Sequence, residues 1–326
     1  LGLSISVSME ITSLAVRGSD RNFFRLKWND KDSAILIQYN PNRLENTYYA
    51  NIAVFLRDIN IPAPLMISHD PAACLMLMED MGDRDLWSLK DALWNTRQGF
   101  YQKTLSIVHR LHSFPENDFP QEQVRLMDGF GPDLYHWEQD YFRENFLSGV
   151  CGIDMELSPG HGIEAELSDL AQRLSESRRS LVHRDLQSQN VMIRNGETFL
   201  IDFQGMRFGN PLYDIGSLLC DPYVSFSEDE VDNLLFFYYG LSEQTLNWPD
   251  FRNAFWEASA QRLMQALGAY GFLGLKKGIK TFLEHIPSGL MNLQRATSHT
   301  TTLIRLRELT EVCQRQIEQN NILSSR

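Results

Sequence analysis

The chain has 326 residues, 43% of them hydrophobic and 22% charged. That ordinary balance excludes collagen-like, low-complexity and largely disordered proteins. Lys and Arg number 30 against 42 Asp and Glu, a formal net charge of −12, which argues against a general nucleic-acid binder because that affinity comes from clustered cations neutralising phosphates.

In chain order, the first 80 residues are rich in strand signals. Phe23–Trp28 and Ser33–Tyr39 are β-prone runs separated by the turn residues Asn29-Asp30-Lys31-Asp32, which predicts a hairpin. A helix is expected from Leu44 to Ile59, because Tyr48, Ile52, Phe55, Leu56 and Ile59 recur at three- and four-residue intervals. Asn60 closes it, and Pro62 and Pro64 prevent its continuation. A second strand pair is expected at Leu65–Ser68 and Cys74–Glu79, around Asp70-Pro71. The character changes near Met81-Gly82-Asp83. Beyond it, Leu89–Leu111 and Leu134–Phe146 read as amphipathic helices, Asp154–Gly162 as an irregular loop, and Glu228 to the end as almost wholly helical. A small β-rich lobe (1–80) and a large, mainly helical lobe (81–326) are therefore expected.

Cys74, Cys151, Cys220 and Cys313 form no C-x-x-C pair and no zinc-ligand spacing, so they read as buried, reduced thiols. No run reaches the ~18–20 apolar residues needed to span a bilayer. The N-terminus lacks the basic-then-apolar plan of a signal peptide. A cytoplasmic protein with no membrane or nucleic-acid partner is the expectation.

The informative segment runs from Leu181 to Phe203 and contains His183-Arg184-Asp185, Asn190, Asn195-Gly196 and Ile201-Asp202-Phe203. Asn195-Gly196 lies between two strand-like runs, the signature of a type I′ hairpin turn, whose central residues both need positive φ. Folding the chain about it sets Asn190 opposite Ile201, so Asn190 and Asp202 meet at the open end with Asp185 on the loop just upstream. Strict strand alternation would put Asn190 and Asp202 on different faces. Two carboxylates and an amide oxygen are hard ligands or proton acceptors, the set a magnesium–phosphate site uses. The plain alternative is a hairpin with polar residues at its mouth.

His183-Arg184-Asp185-x4-Asn190 followed by Ile201-Asp202-Phe203 resembles the catalytic core of the protein-kinase-like superfamily. With Gly209-Asn-Pro211-Leu-Tyr213-Asp214, it resembles the aminoglycoside phosphotransferase family in particular. So few residues separate Asp202 from Asp214 that a long activation segment has no room. Within the family the chain is similar to bacterial kinases that phosphorylate the anomeric hydroxyl of N-acetylmuramate or N-acetylglucosamine. That similarity is carried by Gly18-Ser19-Asp20-Arg21-Asn22-Phe23-Phe24-Arg25, Met78-Glu79-Asp80-Met81-Gly82-Asp83, Asp202-Phe203-Gln204, Ser217–Tyr223, and Gln261-Arg262 with Leu267-Gly268.

The resemblance implies an α+β, protein-kinase-like two-lobed fold with ATP between the lobes and Mg²⁺ on its phosphates. Asp185 would be the catalytic base, Asn190 and Asp202 the metal ligands, and His183 and Asp214 structural supports. Gly18, Ser19 and Arg21 would approach the phosphates, while Glu79 and Met81 would meet adenine at the hinge through backbone groups. Gln187, Asp221 and Arg262 are the acceptor-site candidates, with Arg184 or Arg262 called for by an anionic acceptor. One departure is serious: the third strand, Ala34-Ile-Leu-Ile-Gln38-Tyr39, lacks the lysine that kinase-like proteins place there. Gln38 is the nearest polar side chain. Arg17, Arg21 or Arg43 could supply the charge, and Glu45 reads as a solvated glutamate at a helix start.

Several tempting features are set aside. His109 and His112 share a helix face but lack further metal ligands. Asp128-Gly-Phe-Gly131 follows no apolar strand and reads as a turn. Gly268, Gly271 and Gly274 read as close helix packing or a break, and Phe236–Tyr239 as core. The expected function is an ATP-dependent small-molecule kinase acting on a sugar hydroxyl. The rivals are a kinase of an aminoglycoside, choline-like amine or homoserine, and a nucleotide-binding pseudokinase.

Overall fold

The computed structural model describes residues 9–14, 20–29, 32–153, 162–241 and 245–319. Strands β1 (Glu10–Leu14), β2 (Asn22–Lys27), β3 (Ser33–Gln38), β4 (Met66–Asp70) and β5 (Leu75–Glu79) form one antiparallel sheet in the order β1-β2-β3-β5-β4. The expected hairpin is present, with Phe23 opposite Ile37 and Trp28 N–H donating to Asp32. The second strand pair is also present, with its turn over Pro71–Cys74 where Asp70 accepts from the amides of Ala72 and Ala73. An Asp side chain replaces backbone partners in such a turn.

Helix α1 (Leu44–Asp58) links β3 to β4 and ends as expected, with Asn60 left-handed at φ 58°. Its buried face includes Tyr49, Ile52, Ala53, Phe55 and Leu56.

After β5 the chain is mostly helical. Helix α2 (Trp94–His112) begins five residues later than the periodicity suggests, because Trp87–Leu89 forms a separate 3₁₀ turn. Helix α3 (Pro132–Phe142) continues into a π-helical stretch, Arg143–Ser148. The segment at Asp128–Gly131 is no turn. It runs beside β9 (Arg207–Gly209), with Met127 and Phe130 amides donating to the carbonyls of Met206 and Phe208. Of the expected loop at Asp154–Gly162, residues 154–161 lie outside the described residues. Helix α4 (Ile163–Glu176) follows, an element the sequence reading did not identify.

Two small antiparallel pairs carry the loops of interest: β6 (Ser180–Val182) with β9, and β7 (Val191–Arg194) with β8 (Glu197–Leu200). The rest is α5 (Pro211–Leu219), α6 (Glu228–Gly240), α7 (Trp248–Gly271), α8 (Ile286–Ser298) and α9 (Ile304–Gln319). Among the described residues no helix is long and apolar enough to cross a membrane.

Two expectations about burial need correction. Cys151, Cys220 and Cys313 are buried, but Cys74 is only half-buried, on the β4–β5 turn at φ 55°. The aromatic run 236–239 is split by helix periodicity: Tyr238 is buried, whereas Phe236 is 58% exposed. His109 and His112 also part company. His112 is buried and bonds Asp214 Oδ2 (3.0 Å) and the Tyr238 hydroxyl (2.7 Å).

Candidate active site

The β7–β8 hairpin turns on Asn195 (φ 53°) and Gly196 (φ 79°), the two positive φ values of a type I′ turn. Val191 pairs with Leu200, and the Ile201 amide donates to the Asn190 carbonyl at 3.0 Å. Asn190 and Ile201 are therefore opposite each other, as the turn dictates. Asp202 escapes strand alternation because its backbone is left-handed, φ 64° and ψ 34°. It joins Asn190 in lining one cleft of about 710 Å³ between the sheet and the helical lobe.

The loop between β6 and β7 carries Asp185. Arg184 takes φ 77°, a conformation costly for a residue with a Cβ. Asp214, fully buried on α5, holds that backbone by accepting from the His183 amide (2.7 Å) and the Arg184 amide (2.8 Å). The His183 ring bonds the Ile201 carbonyl at 2.9 Å and ties the loop to the strand leading to Asp202. Asn190 Nδ2 donates to the Asp185 carbonyl (2.8 Å), so Oδ1 is the atom left for a cation.

The donor chemistry of Asn190 and Asp202 suits a hard divalent ion. Gln187 lines the cleft. Asp221 does not serve as an acceptor contact. It is fully buried behind the loop, and its oxygens accept from the Ser188 amide (2.8 Å), the Ser188 hydroxyl (2.5 Å) and the Tyr223 amide (3.0 Å).

Two guanidinium groups flank Asp185. Arg184 Nη1 donates to Oδ2 at 2.7 Å, and Arg262 Nη2 lies 3.5 Å from Oδ1. Burial pushes the Asp185 carboxyl up, but Arg184 and then Arg262 outweigh it and bring its pKa down to about 2. Arg262 is buried on α7, also donating to Ser217 (3.2 Å) and Gln265 (2.6 Å), and is no helix-surface residue. Behind the pair lies Glu138, a residue the sequence reading missed. It accepts from the Tyr213 hydroxyl (2.8 Å) and Gln261 Nε2 (3.1 Å), and burial raises its pKa despite the nearby Arg184. Nothing in the amphipathic pattern of α3 distinguishes it.

On the sheet side, Gly18, Ser19 and Arg17 lie outside the described residues. Arg21 is buried (4% exposed) and bonds both Asp202 Oδ1 and Gln204 Oε1, the latter at 3.1 Å. Ile35 and Ile37 of β3 face the cleft. Gln38, on the alternate face, is exposed and accepts from Asn22 at 3.4 Å, so it does not replace the missing lysine. Glu45 is not a freely solvated glutamate: only 14% of its side chain is exposed, and Arg43 holds it at 2.8 Å.

At the hinge, Glu79 has no free amide for a base, because its N–H donates to the Leu65 carbonyl (2.9 Å). Its carboxylate pairs with Arg194. Met81 is buried and lines the cleft. Asp80 between them accepts from Arg25, Ser33 (2.7 Å) and the Gly82 amide (2.9 Å). Burial opposes ionisation of Asp80, but these donors together hold its pKa below the usual carboxylate value.

A profile of the phosphotransferase enzyme family matches residues 10–254. The chain is 21% identical over 302 residues to an N-acetylmuramate/N-acetylglucosamine kinase of Neisseria meningitidis serogroup B, covering 91% of this chain and 88% of that protein. The fold is protein-kinase-like. It is shared with a choline/ethanolamine kinase family protein from Mesorhizobium loti (TM-score 0.63, 16% identity, 95% and 94% of the two chains covered). An ADP-bound aminoglycoside phosphotransferase has the same fold (TM-score 0.56, 15% identity, 88% and 94% covered).

Proposed function

The chain belongs to the phosphotransferase enzyme family, and on that premise we propose that it transfers the γ-phosphoryl group of ATP to a hydroxyl of a small neutral or anionic sugar. The anomeric hydroxyl of N-acetylmuramate or N-acetylglucosamine fits best. The acceptor oxygen bonds to the γ-phosphorus, the bond to the β,γ-bridging oxygen breaks, and ADP leaves with that electron pair. Asp185 orients the hydroxyl and takes its proton. A carboxylate with pKa near 2 is a weak base, so it suits a loose transition state in which the proton moves late. Asn190 and Asp202 would hold Mg²⁺, which when bound neutralises phosphate charge. The reaction calls for a compartment that supplies ATP, the cytoplasm.

The observation that carries the reaction class is the meeting of Asn190 and Asp202 on one cleft through the hairpin register and the left-handed Asp202, with Asn190 Nδ2 donating to the Asp185 carbonyl and so fixing the catalytic loop beside them. The acceptor class rests on what surrounds them. Two arginines flank Asp185. The part of the cleft contributed after α5 and α7 is formed by Tyr223, Leu273, Ile279, Thr281, Phe282 and His285, with no carboxylate among these residues. Tyr223 and His285 meet edge to face, with centroids 4.3 Å apart. Burial lowers the His285 pKa, which favours a neutral ring. Such a wall suits the C–H face of a pyranose. A polycationic drug or a choline-like amine would meet the two arginines beside Asp185 and would find no carboxylate on this wall. The name of the Neisseria relative points the same way.

The test is phosphorus NMR of the protein with Mg-ATP and, in turn, N-acetylglucosamine, N-acetylmuramate, glucosamine, kanamycin and choline. An anomeric phosphate signal with an N-acetyl sugar is expected. In Asp185→Asn the rate should fall about 10²–10⁴-fold, the range for loss of a positioned proton acceptor, with ATP affinity little changed. Transfer to kanamycin or choline alone would overturn the acceptor class. ATP binding without transfer to any acceptor would favour the pseudokinase reading, for which the isoleucine-lined β3 is the motive.

A further inference from the structure

Strand β3 offers the nucleotide no cation, because Ile35 and Ile37 occupy its cleft face. Arg43 is a poor substitute. Half of its side chain is exposed, and it is engaged with Glu45 (2.8 Å) and Asp20 (3.6 Å). Arg21 is placed differently. It enters the cleft from the residue preceding β2, and its guanidinium carbon sits 5.5 Å from the Phe23 ring centroid and 5.7 Å from that of Tyr49. Burial opposes its charge, but Asp202, with Tyr49 and Glu45 adding to it, holds its pKa above the usual arginine value.

The residues around this pair are stacked and hydrogen-bonded to one another. Tyr49 of α1 stacks on Phe203 with centroids 4.4 Å apart, and its hydroxyl is hydrogen-bonded to the Asp202 backbone. Gln204 accepts from the other arm of the guanidinium. The anion that holds Arg21 is thus the same carboxylate that faces the cleft as a candidate metal ligand.

We propose that Arg21 is a displaceable counter-ion, neutralising Asp202 before nucleotide binds and passing to the nucleotide phosphates when a divalent cation takes over that carboxylate. The proposal rests on the phosphotransferase reading above. Two cations cannot share one carboxylate at this distance without repulsion. A metal arriving alone therefore takes from a buried guanidinium the carboxylate that it bonds, which is costly. A metal arriving with a nucleotide brings phosphate oxygens that accept the guanidinium in a charge-assisted bond. Metal and phosphate binding are then positively coupled through one side chain, and the missing lysine is replaced from a different strand. The exchange is wholly non-covalent.

The experiment is calorimetric titration of the full chain with Mn²⁺ alone, with Mg-ADP and with adenosine. The variants are Arg21→Ala, Arg21→Gln and the control Arg43→Ala, each checked for a native circular dichroism spectrum. Removing the Arg21 charge should tighten Mn²⁺ binding without nucleotide by about tenfold. It should weaken Mg-ADP by about a hundredfold, a charge-assisted bond's worth, and leave adenosine within about twofold. Arg21→Gln keeps much of the side chain's bulk, so it reads the same charge effect if the alanine variant does not fold. Arg43→Ala should change none of the three.

Unchanged or weaker Mn²⁺ binding in the variants would overturn the counter-ion role. An equal loss for adenosine and ADP would show that Arg21 shapes the pocket and does not grip phosphate. If wild type binds adenosine but gains nothing from the phosphates of Mg-ADP, the phosphate role falls while a nucleoside site stands. If it binds neither adenosine nor Mg-ADP, the phosphotransferase reading fails first.

Discussion

At the scale of single residues, opposing electrostatic terms decide how Asp185 behaves. Burial favours its neutral form, yet Arg184 and Arg262 lie close enough to reverse the sign. The linkage follows directly. An unfolded Asp titrates near ~3.9, and the folded one near about 2. The stability from this ionised carboxylate is therefore fully present above about pH 4 and is lost as pH falls towards 2. The difference in unfolding free energy between wild type and Asp185→Asn should be flat from pH 7 to 5, then shrink below 4 by on the order of 2 kcal/mol in all. Urea unfolding at several pH values measures it, and a difference independent of pH would refute the shift. Asp214 shows a second side of the same scale. Its position in Pro-x-Tyr-Asp is evident in sequence, whereas its partner His112, a hundred residues upstream, is not.

At the scale of elements, glycines set how closely helices approach. The recurrence at Gly268 and Gly271 is close packing: α7 crosses α3 and its π-helical continuation at this point. A Cβ on Gly268 would lie 2.9 Å from the Tyr141 ring, and one on Gly271 would lie 2.1 Å from the Asn145 carbonyl oxygen. That oxygen is backbone and cannot step aside. Gly271→Ala should therefore cost about 1–3 kcal/mol, despite the ~1 kcal/mol better helix propensity of Ala. Gly99 lies on an exposed face of α2, where an added Cβ would meet no atom within 4 Å. Gly99→Ala should stabilise by about 0.5–1 kcal/mol. Thermal melts of the two variants should move in opposite directions, and a shared sign would undo the packing argument.

At the scale of the whole molecule, the sheet and the helical lobe are sewn together along the cleft. Tyr49 of α1 stacks on Phe203. The Leu200 amide donates to the Pro62 carbonyl, and Arg194 pairs with Glu79. The two lobes should then unfold in one calorimetric transition. Mg-ADP at ~100 times its dissociation constant should raise that transition as a whole by about 2.7 kcal/mol of linkage. Two transitions, only one of them shifted by Mg-ADP, would show that the lobes fold independently.

What is local was legible in the sequence alone. Turn chemistry at Asn195-Gly196 set the hairpin and hence the pairing of Asn190 with Ile201, because positive φ at two successive residues admits few alternatives. Helical periodicity located α1, α2, α3 and the helical C-terminal third, while α4 and α5 went unrecognised. Motif spacing pointed to the phosphotransferase family. Which distant side chains meet was settled by the three-dimensional packing: Arg21 with Asp202, Arg262 with Asp185, His112 with Asp214. That packing also spent Asp221 on Ser188, sent Gln38 to solvent and tied Glu45 to Arg43. The physical reason is that a residue's type fixes what it can bond, whereas the packing of remote elements fixes what lies within reach. Two charges far apart in the chain leave no periodic trace of their pairing.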